Sequence, residues 1–249
     1  MSATDPLAAL HERVVACRRC PELRAYCRDI ARAGKREFAG ETYWAKPVPG
    51  IGPPSARLLI VGLAPAAHGA NRTGRMFTGD SSGAWLSRAL HRSGFATVPH
   101  SIRRGDGFEP IDAYITAALR CAPPGNKPTA AQLERCAPYL QTEIDLLRRL
   151  RVVVGLGKIG FDNVVRALEA CGYVHSERRP AFAHGATSTM RSSDGRRHLT
   201  VIASYHPSRQ NTNTGVLTAP MLDAIFRKAR AVLDRPKPTA TSATRMTSR

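Results

Sequence analysis

Four short runs of consecutive apolar residues recur along the chain, at 57–62, 113–119, 151–155 and 198–205. Each run is rich in Val, Ile, Leu and Ala, and each is shorter than a typical helix. Runs of this kind are typical of strands that are buried on both faces of a parallel sheet. The pattern therefore predicts four parallel strands.

Apolar residues at helical spacing fill the stretches between these runs, which predicts helices over 81–94, 129–150, 159–171 and 216–233. Thr129 followed by Gln132 is the signature of a capping box, which marks a helix start. Strands that alternate with helices indicate an α/β fold, a three-layer sandwich with helices on both faces of the sheet. Residues 24–56 and 173–197 are rich in Gly, Pro and basic residues and are predicted to be irregular surface segments.

The predicted elements fit a single α/β domain over residues 1–235. Residues 236–249 combine Pro, Thr, Ser and basic residues without apolar periodicity, which predicts a disordered basic tail. No apolar run reaches the roughly 18 residues that a membrane helix needs. The first residues lack the basic and apolar regions of a secretory signal. The cytoplasm is therefore the expected location.

The charge balance adds a partner to this picture. The chain carries 37 Lys and Arg against 19 Asp and Glu, a formal net charge of +18. Three positive charges belong to the predicted tail, so about +15 remains on the folded part, which attracts polyanions. Counterion release rewards each neutralised phosphate, so nucleic acid is the favoured partner. A membrane surface is less favoured, because no basic amphipathic helix is evident.

Polar loops rich in Gly and Pro follow all four predicted strands. They span residues 62–80, 120–126, 155–158 and 206–211. In open α/β sheets, ligands bind beyond the carboxyl ends of the strands. The four loops are therefore expected to converge on one crevice.

Six cysteines pose a separate question. Cys17 and Cys20 form a C-x-x-C pair, and Cys121 and Cys136 are separated by fourteen residues after the second strand. Disulfides are disfavoured in a cytosolic chain, which leaves scattered core thiols or a metal site. Zinc ribbons usually have two C-x-x-C pairs, so an iron–sulfur cluster suits these four cysteines at least as well as zinc. Cys27 and Cys171 are left over.

Residues 155–160 match the dinucleotide fingerprint G-x-G-x-x-G between a strand and a helix. The fingerprint also needs an acid at the end of the next strand, where this chain has Tyr205 and His206. Tight packing of the helix against the strand is the simpler interpretation of the glycines. A phosphate at the helix N-terminus is a third possibility.

Two long motifs resemble those of the family 5 uracil-DNA glycosylases. They are residues 62–80, GLAPAAHGANRTGRMFTGD, and residues 206–215, HPSRQNTNTG. Residues 120–126 are similar to the middle segment of the family, and the likeness extends over about 10–233. The resemblance implies a four-stranded parallel sheet flanked by helices and a hydrolase that excises uracil, hypoxanthine or xanthine from DNA. It also implies a 4Fe-4S cluster on Cys17, Cys20, Cys121 and Cys136.

The resemblance extends to single residues. Leu63 and Ala64 stand where families 4 and 1 carry an acid, which fits family 5 and excludes a water-activating acid at these positions. His206 is expected to stabilise the negative charge on the leaving base. Asp80 is expected to orient water or stabilise the sugar cation, although it is also a suitable helix N-cap. Asn126 offers a donor and an acceptor to a base edge or serves as a turn residue, and Asn211 completes the predicted catalytic set.

The same loops supply the predicted base pocket and DNA contacts. Phe77 is expected to stack on the flipped base, although a core role is equally compatible with the sequence. Ala64 and His68 are predicted to line the pocket beside it. Arg72 and Arg75 are expected to contact phosphates of the DNA. Arg209 and Gln210 are candidates for filling the gap left by the flipped base.

Two other functions stay open on the sequence alone. One is a metal-stapled DNA-binding protein without catalysis, which leaves His206 and Asp80 unexplained. The other is a nucleotide-dependent oxidoreductase, which lacks the ribose-binding acid. Lys127 and Lys158 are weak candidates for a Schiff-base nucleophile, so a monofunctional, monomeric glycosylase acting on DNA is the expected protein.

Overall fold

Six strands form one sheet in the computed structural model, which describes residues 5–177 and 181–235. In chain order they are β1 (Leu58–Gly62), β2 (Ala113–Ala117), β3 (Val152–Leu156), β4 (Tyr173–His175), β5 (Thr187–Ser192) and β6 (His198–Ser204). The four predicted strands correspond to β1, β2, β3 and β6. They run parallel in the spatial order β2-β1-β3-β6.

The prediction of irregular structure over 173–197 is wrong, because this segment contributes β4 and β5. They add to the β6 edge in antiparallel fashion and extend the sheet to six strands. β5 carries mostly polar residues and is largely exposed, so it lacks the apolar run that marks the parallel strands. Residues 24–56 are also less irregular than expected, because a helix that begins at Pro21 extends to Ala33.

Eight helices are described: α1 (Pro6–Val15), α2 (Pro21–Ala33), α3 (Ala70–Thr73), α4 (Ser81–Arg92), α5 (Ala130–Leu146), α6 (Gly157–Ala170), α7 (Arg209–Asn213) and α8 (Ala219–Asp234). The predicted capping box at the start of α5 is present. The Gln132 amide donates to Thr129 Oγ1 at 3.2 Å, and the Thr129 amide donates to Gln132 Oε1 at 3.0 Å. These bonds satisfy two amides that the first helical turn leaves unpaired.

Alternate residues of each parallel strand pack into two separate cores. Leu59, Val61 and Val153 face a core formed with α1, α2, α5 and α6. Ile60 and Val154 face a second core formed with α4 and α8. The molecule is therefore the predicted three-layer sandwich, with its sheet covered on both faces.

The predicted tail, 236–249, lies outside the described residues. Among the residues that the structure does describe, no helix is both long and apolar enough to cross a membrane.

Candidate active site

A cleft of about 620 Å³ opens beyond the carboxyl ends of β1, β2 and β6, which is where a ligand is expected in such a sheet. Segments from three of the four predicted loops line it, at 63–82, 125–127 and 206–210. Seven of the predicted site residues border this cleft: Ala64, Phe77, Asp80, Asn126, His206, Arg209 and Gln210.

Asp80 is the helix N-cap that the sequence suggested, and it also lies at the cleft, where its predicted catalytic role would place it. Its Oδ1 accepts a hydrogen bond from the Gly83 amide at 2.8 Å, so it caps α4. Its carboxyl group also borders the cleft, where burial raises its pKa while the Gly83 and Ser82 amides and Arg209 oppose the rise. A side chain at Gly69 would overlap Asp80 Oδ2, so the close approach of these two loops requires glycine there.

His206 lies two residues after the end of β6 and is partly buried in the cleft wall. Burial lowers the pKa of its imidazole to about 4, so the ring is neutral at pH 7. Asn211 fixes its backbone, because Asn211 Nδ2 donates to the His206 carbonyl at 2.8 Å. Asn211 therefore acts behind His206, and it is not among the residues that border the cleft.

His184 holds the same strand end from the other side, and the sequence analysis missed it. The Tyr205 amide donates to His184 Nδ1 at 3.1 Å, and the two rings lie 5.0 Å apart. Burial lowers the pKa of His184, and a hydrogen bond to the Met221 backbone opposes this shift. His184 lies in the segment predicted to be irregular, and no motif distinguishes it in the sequence.

Phe77 and Asn126 both adopt backbone conformations with positive φ, 49° and 57° respectively. This region is unusual for a bulky residue such as Phe and signals local strain. The Phe77 ring lies across Gly62, where a Cβ would overlap it, and its centroid is 6.0 Å from that of His206. Phe77 therefore forms part of the cleft wall and does not belong wholly to the core.

A second cleft of about 680 Å³ continues from the first and shares Asp80, Asn126 and Arg209 with it. Lys35, Arg88 and His100 also line this cleft, and all three are exposed. We call it the basic cleft. Glu37 lines it too and pairs with Lys35, but Arg88 and Arg209 make the lining suited to a polyanion that runs past the first cleft.

His68 lies in the basic cleft and not, as predicted, beside Phe77. Its Nδ1 is 2.9 Å from the Tyr43 hydroxyl. Burial is the main cause that lowers the pKa of His68, and nearby Lys35 and Arg72 add to it.

The predicted phosphate contacts of Arg72 and Arg75 are wrong, because both guanidinium groups are buried in internal bonds. Arg75 pairs with Asp106 at 2.7 Å, and its side chain is 8% exposed. Arg72 pairs with Glu41, and its Nη2 donates to the Gly79 carbonyl at 3.1 Å. Charge patterning in the sequence does not distinguish such arginines from surface ones.

The three glycines of the G-x-G-x-x-G match are explained by packing, as the simpler interpretation predicted. A Cβ at Gly155 would overlap the Phe161 backbone, and Gly160 approaches the Val61 carbonyl. Gly157 has a φ of 76° and lies against His206. The motif therefore supports the loop that carries His206, and no acid follows β6 at Tyr205 or His206 to bind a ribose.

The four cysteines of the predicted ligand set line one small cavity between α1, α2, β2 and α5. Burial raises the pKa of the Cys136 thiol to about 11. Within residues 5–177 and 181–235, no three His, Cys, Asp or Glu side chains converge closely enough to hold a single metal ion. Of the two remaining cysteines, Cys27 is fully buried with its Sγ 3.7 Å from the Ala122 carbonyl, and Cys171 is partly buried.

Arg120 also lines this cavity and is 1% exposed. Its Nη2 donates to Glu143 Oε2 at 2.6 Å, and Tyr114 donates to the other oxygen of the same carboxylate at 3.0 Å. Its Nε has no hydrogen-bond partner among the described residues. A buried donor without a partner is costly, so an acceptor is expected in the cavity.

Comparisons with known proteins agree with this geometry. The sequence model of the uracil DNA glycosylase superfamily matches residues 49–230. A type-5 uracil-DNA glycosylase from Thermus thermophilus is 47% identical over 222 residues, which cover 89% of this chain and 96% of the relative. One from Mycobacterium leprae is 45% identical over 222 residues, covering 89% and 93% respectively. A type-4 uracil-DNA glycosylase from Pyrobaculum aerophilum is 33% identical over 148 residues, 59% of each chain.

Proposed function

This chain belongs to the uracil-DNA glycosylase superfamily and is a hydrolytic DNA glycosylase, and from that premise we propose that it excises uracil and other deaminated bases, such as hypoxanthine and xanthine, from DNA. The observation that carries the proposal is the single cleft bordered by Asp80, His206, Phe77 and Asn126. Cleavage of the N-glycosidic bond leaves negative charge on the base and positive charge on the sugar. The cleft offers a group for each.

His206 stabilises the departing base. As a neutral imidazole it donates an N–H to a base carbonyl, where negative charge develops. A neutral donor is suited to this role because it does not attract the base anion so strongly that product release is impeded. The hydrogen bonds of Asn211 and His184 to the adjoining backbone support a fixed ring position.

Asp80 acts on the sugar side. Its carboxylate stabilises the oxocarbenium-like sugar or orients the attacking water. Phe77 stacks on the extruded base, and Asn126 bonds to its polar edge. The small residues Ala64 and Ala66 leave room in the cleft for purines, which supports hypoxanthine and xanthine as substrates.

DNA follows the basic cleft, which adjoins the catalytic cleft along Arg209. Arg209 and Gln210 are exposed at the edge of the catalytic cleft and contact DNA where the base leaves the stack. The protein acts as a monomer in the cytoplasm, next to the DNA it repairs.

No Schiff base is expected during catalysis. The two candidate lysines are Lys158, which pairs with Asp162, and Lys127, which lines the cleft. Borohydride trapping tests whether a Schiff base forms on either of them.

A 4Fe-4S cluster is proposed in the cysteine cavity. Each of four cysteines binds a different iron of such a cluster, so they need not converge on one point as zinc ligands do. Arg19, Arg24 and Arg135 also line the cavity and offset the charge of four thiolates. The unpartnered Nε of Arg120 provides a donor for a cluster sulfur. When bound, the cluster would tie the α1–α2 connection to β2 and α5.

Single-turnover excision tests the activity. An oligonucleotide with one uracil is incubated with excess enzyme and then cleaved with alkali at the abasic site. His206→Ala is expected to slow excision about 10²–10³-fold, because one donor to the developing anion is lost. DNA affinity is expected to stay unchanged, and exposed His91 on α4 provides the control variant His91→Ala. Near-normal excision by His206→Ala would contradict the assignment.

Substrate range is tested in the same assay. Wild type and Asp80→Asn are compared on oligonucleotides with uracil, hypoxanthine or xanthine. Release of all three bases by wild type is expected. Release of uracil alone would restrict the proposal to that base.

Iron and sulfide analysis tests the cluster independently of activity. The purified protein is expected to be brown, with an absorbance band at about 400 nm. Cys17→Ser and Cys121→Ser are expected to lose iron and the band, whereas Cys171→Ser retains both. Stoichiometric zinc without visible absorbance would overturn the cluster.

A further inference from the structure

Ile102 is an apolar side chain in an exposed and polar setting. It is 59% exposed, and it lines the basic cleft together with Gly79, Asp80 and Arg88. An isolated exposed isoleucine needs no explanation. Its position beside a catalytic carboxylate and its rigid support, described next, call for one.

Asp106 holds the backbone of Ile102 in place. Its Oδ2 accepts hydrogen bonds from the Ile102 amide at 2.6 Å and from the Arg103 amide at 3.0 Å. Its carboxylate is in turn paired with the buried Arg75. These bonds lower the pKa of Asp106 well below its usual range although burial favours the opposite, so the carboxylate stays charged at neutral pH.

Ile102 lies in a loop of residues 101–108, and both ends of this loop are fixed to the rest of the molecule. Ser101 is buried, its Oγ lies 2.7 Å from Thr78 Oγ1, and its carbonyl accepts from the Gly79 amide at 2.9 Å. Phe108 is buried at the other end. Arg104 lies over the Trp44 ring at 4.3 Å and donates to the Gly74 carbonyl. The loop therefore presents Ile102 on a rigid base. The hydrogen bond from the Gly79 amide to Ser101 ties this base to the residue that precedes Asp80.

Charges around Ile102 suit DNA as the occupant of this surface. Arg103 follows it directly and is exposed, and Arg88 and Arg209 line the same cleft. Cations around an apolar point are the arrangement by which minor-groove and architectural proteins insert a wedge between base steps. A protein partner would be expected to need a larger apolar patch than this single residue.

We propose that Ile102 is a DNA-penetrating wedge, which enters the base stack beside the damaged nucleotide and keeps it extruded. This inference rests on the proposed glycosylase function. Extrusion leaves a gap, and refilling of that gap by the same base competes with excision. An apolar side chain in the gap restores part of the lost stacking contact. Arg75 thereby serves DNA indirectly, through Asp106, and not by contact with a phosphate.

Duplex and single-stranded substrates separate this role from a catalytic one. Ile102→Ala is expected to slow single-turnover excision of uracil from a duplex on the order of tenfold, because the flipped state is less populated. Excision from a single strand, where no stack has to be opened, is expected to change less than about twofold. Ile102→Leu is expected to restore the duplex rate, since it keeps the apolar volume. Ile111→Ala, at an exposed position before β2, is the control.

Fluorescence of 2-aminopurine next to the uracil reports base extrusion without the chemical step. It is expected to rise on binding of wild type and to rise less with Ile102→Ala. Equal slowing on both substrates, or an unchanged duplex rate, would overturn the wedge. If Gln210→Ala slows excision from the duplex and Ile102→Ala does not, the wedge lies in the 206–211 loop and not at Ile102. Failure of wild type to release uracil from either substrate would instead refute the proposed function.

Discussion

At the scale of single residues, burial moves the two central titratable groups toward their neutral forms. It raises the pKa of Asp80 and lowers that of His206 to about 4. For His206 the neutral form is the useful one, because it is an N–H donor at every pH above about 5. For Asp80 the Gly83 and Ser82 amides at the α4 N-terminus favour the charged form and partly oppose the effect of burial.

Asp80 should therefore set the acid limit of catalysis. Its raised pKa means that the carboxylate is lost at a higher pH than for an exposed aspartate, whereas His206 stays neutral down to about pH 4. The single-turnover rate of wild type should fall with decreasing pH, and Asp80→Asn should be slow with a flat acid limb. A wild-type acid limb that persists in Asp80→Asn would assign it to another group.

His206 should also couple stability to pH. Its folded pKa is below its unfolded value of about 6.5, so its contribution is fully present above pH 6.5 and is lost as pH falls toward 4. Between pH 7.5 and 4.5, wild type should lose on the order of 2 kcal/mol more unfolding free energy than His206→Asn. Urea unfolding at the two pH values measures this difference. Parallel losses would show that the imidazole is hydrated in the folded state.

Gly69→Ala should displace the catalytic carboxylate. The new methyl group would overlap Asp80 Oδ2, and the Asp80 side chain is too short to yield while it caps α4. Single-turnover excision should slow about 10–100-fold, as expected for a misplacement on the order of 1 Å. Gly195→Ala is the control for the cost of replacing a glycine: a Cβ there meets nothing within 4 Å, although its φ of 70° adds a backbone strain that Gly69 lacks. Equal rates for both variants would contradict the contact.

Residue identities predicted which loops meet, but not which way each side chain points. Asp80, Phe77 and His206 follow from motifs at strand ends, where topology fixes their place. Arg75 and His68 lie within the same motif, yet they point elsewhere because Asp106 and Tyr43 bind them. Those partners are distant in sequence, so the motif does not reveal them.

At the scale of elements, a buried ion pair joins the loop after β2 to the last turn of α5. Arg120 and Glu143 are 1% and 0% exposed in their side chains, and Tyr114 and Thr116 share the Glu143 carboxylate. A buried pair adds little net stability, but loss of one partner leaves an unpaired charge. Arg120 also lines the cysteine cavity, so the pair lies directly behind one wall of it.

Glu143→Leu should cost about 3–5 kcal/mol of unfolding free energy, because Arg120 would remain buried without its counter-ion. Urea unfolding of the purified holoprotein measures the change. Asp162→Asn, which breaks the exposed pair with Lys158 on α6, should cost no more than about 0.5 kcal/mol. A similar small loss for both would show that water reaches Arg120.

Parallel strands are more predictable here than the antiparallel extension. β1, β2 and β3 are buried along their whole length and β6 is buried over 201–204, so their sequences are mostly apolar. β4 and β5 lie at the edge, where exposed positions accept polar residues, and their pairing is set by β6 and not by their own pattern. His184 belongs to the same segment, so its bond to Tyr205 was equally hidden.

At the scale of the whole molecule, positive charge and chemistry are separate. The net charge of +18 attracts DNA over a long range, and exposed cations line the basic cleft. Lys127 and Arg209 also border the first cleft, but the proposed cleavage is assigned to a carboxylate and a neutral imidazole, Asp80 and His206. Affinity and bond cleavage therefore depend on different groups.

Salt should weaken binding much more than it slows the bond cleavage. Raising salt from 50 to 200 mM should reduce DNA affinity steeply, because each phosphate contact releases counterions. The single-turnover rate at saturating enzyme should change little. Fluorescence anisotropy and quenched-flow assays measure the two quantities. An equal loss in both would refute the separation.

Gly62, Gly69 and Gly157 each support one side chain of the catalytic cleft: Phe77, Asp80 and His206 respectively. The cleft wall therefore contains two kinds of position that matter for redesign of the enzyme. A mutant library at the three glycines should yield mostly inactive proteins. Leu63, Ala64 and Ala66 border the same space and are only partly buried, so a search for new base selectivity should begin there.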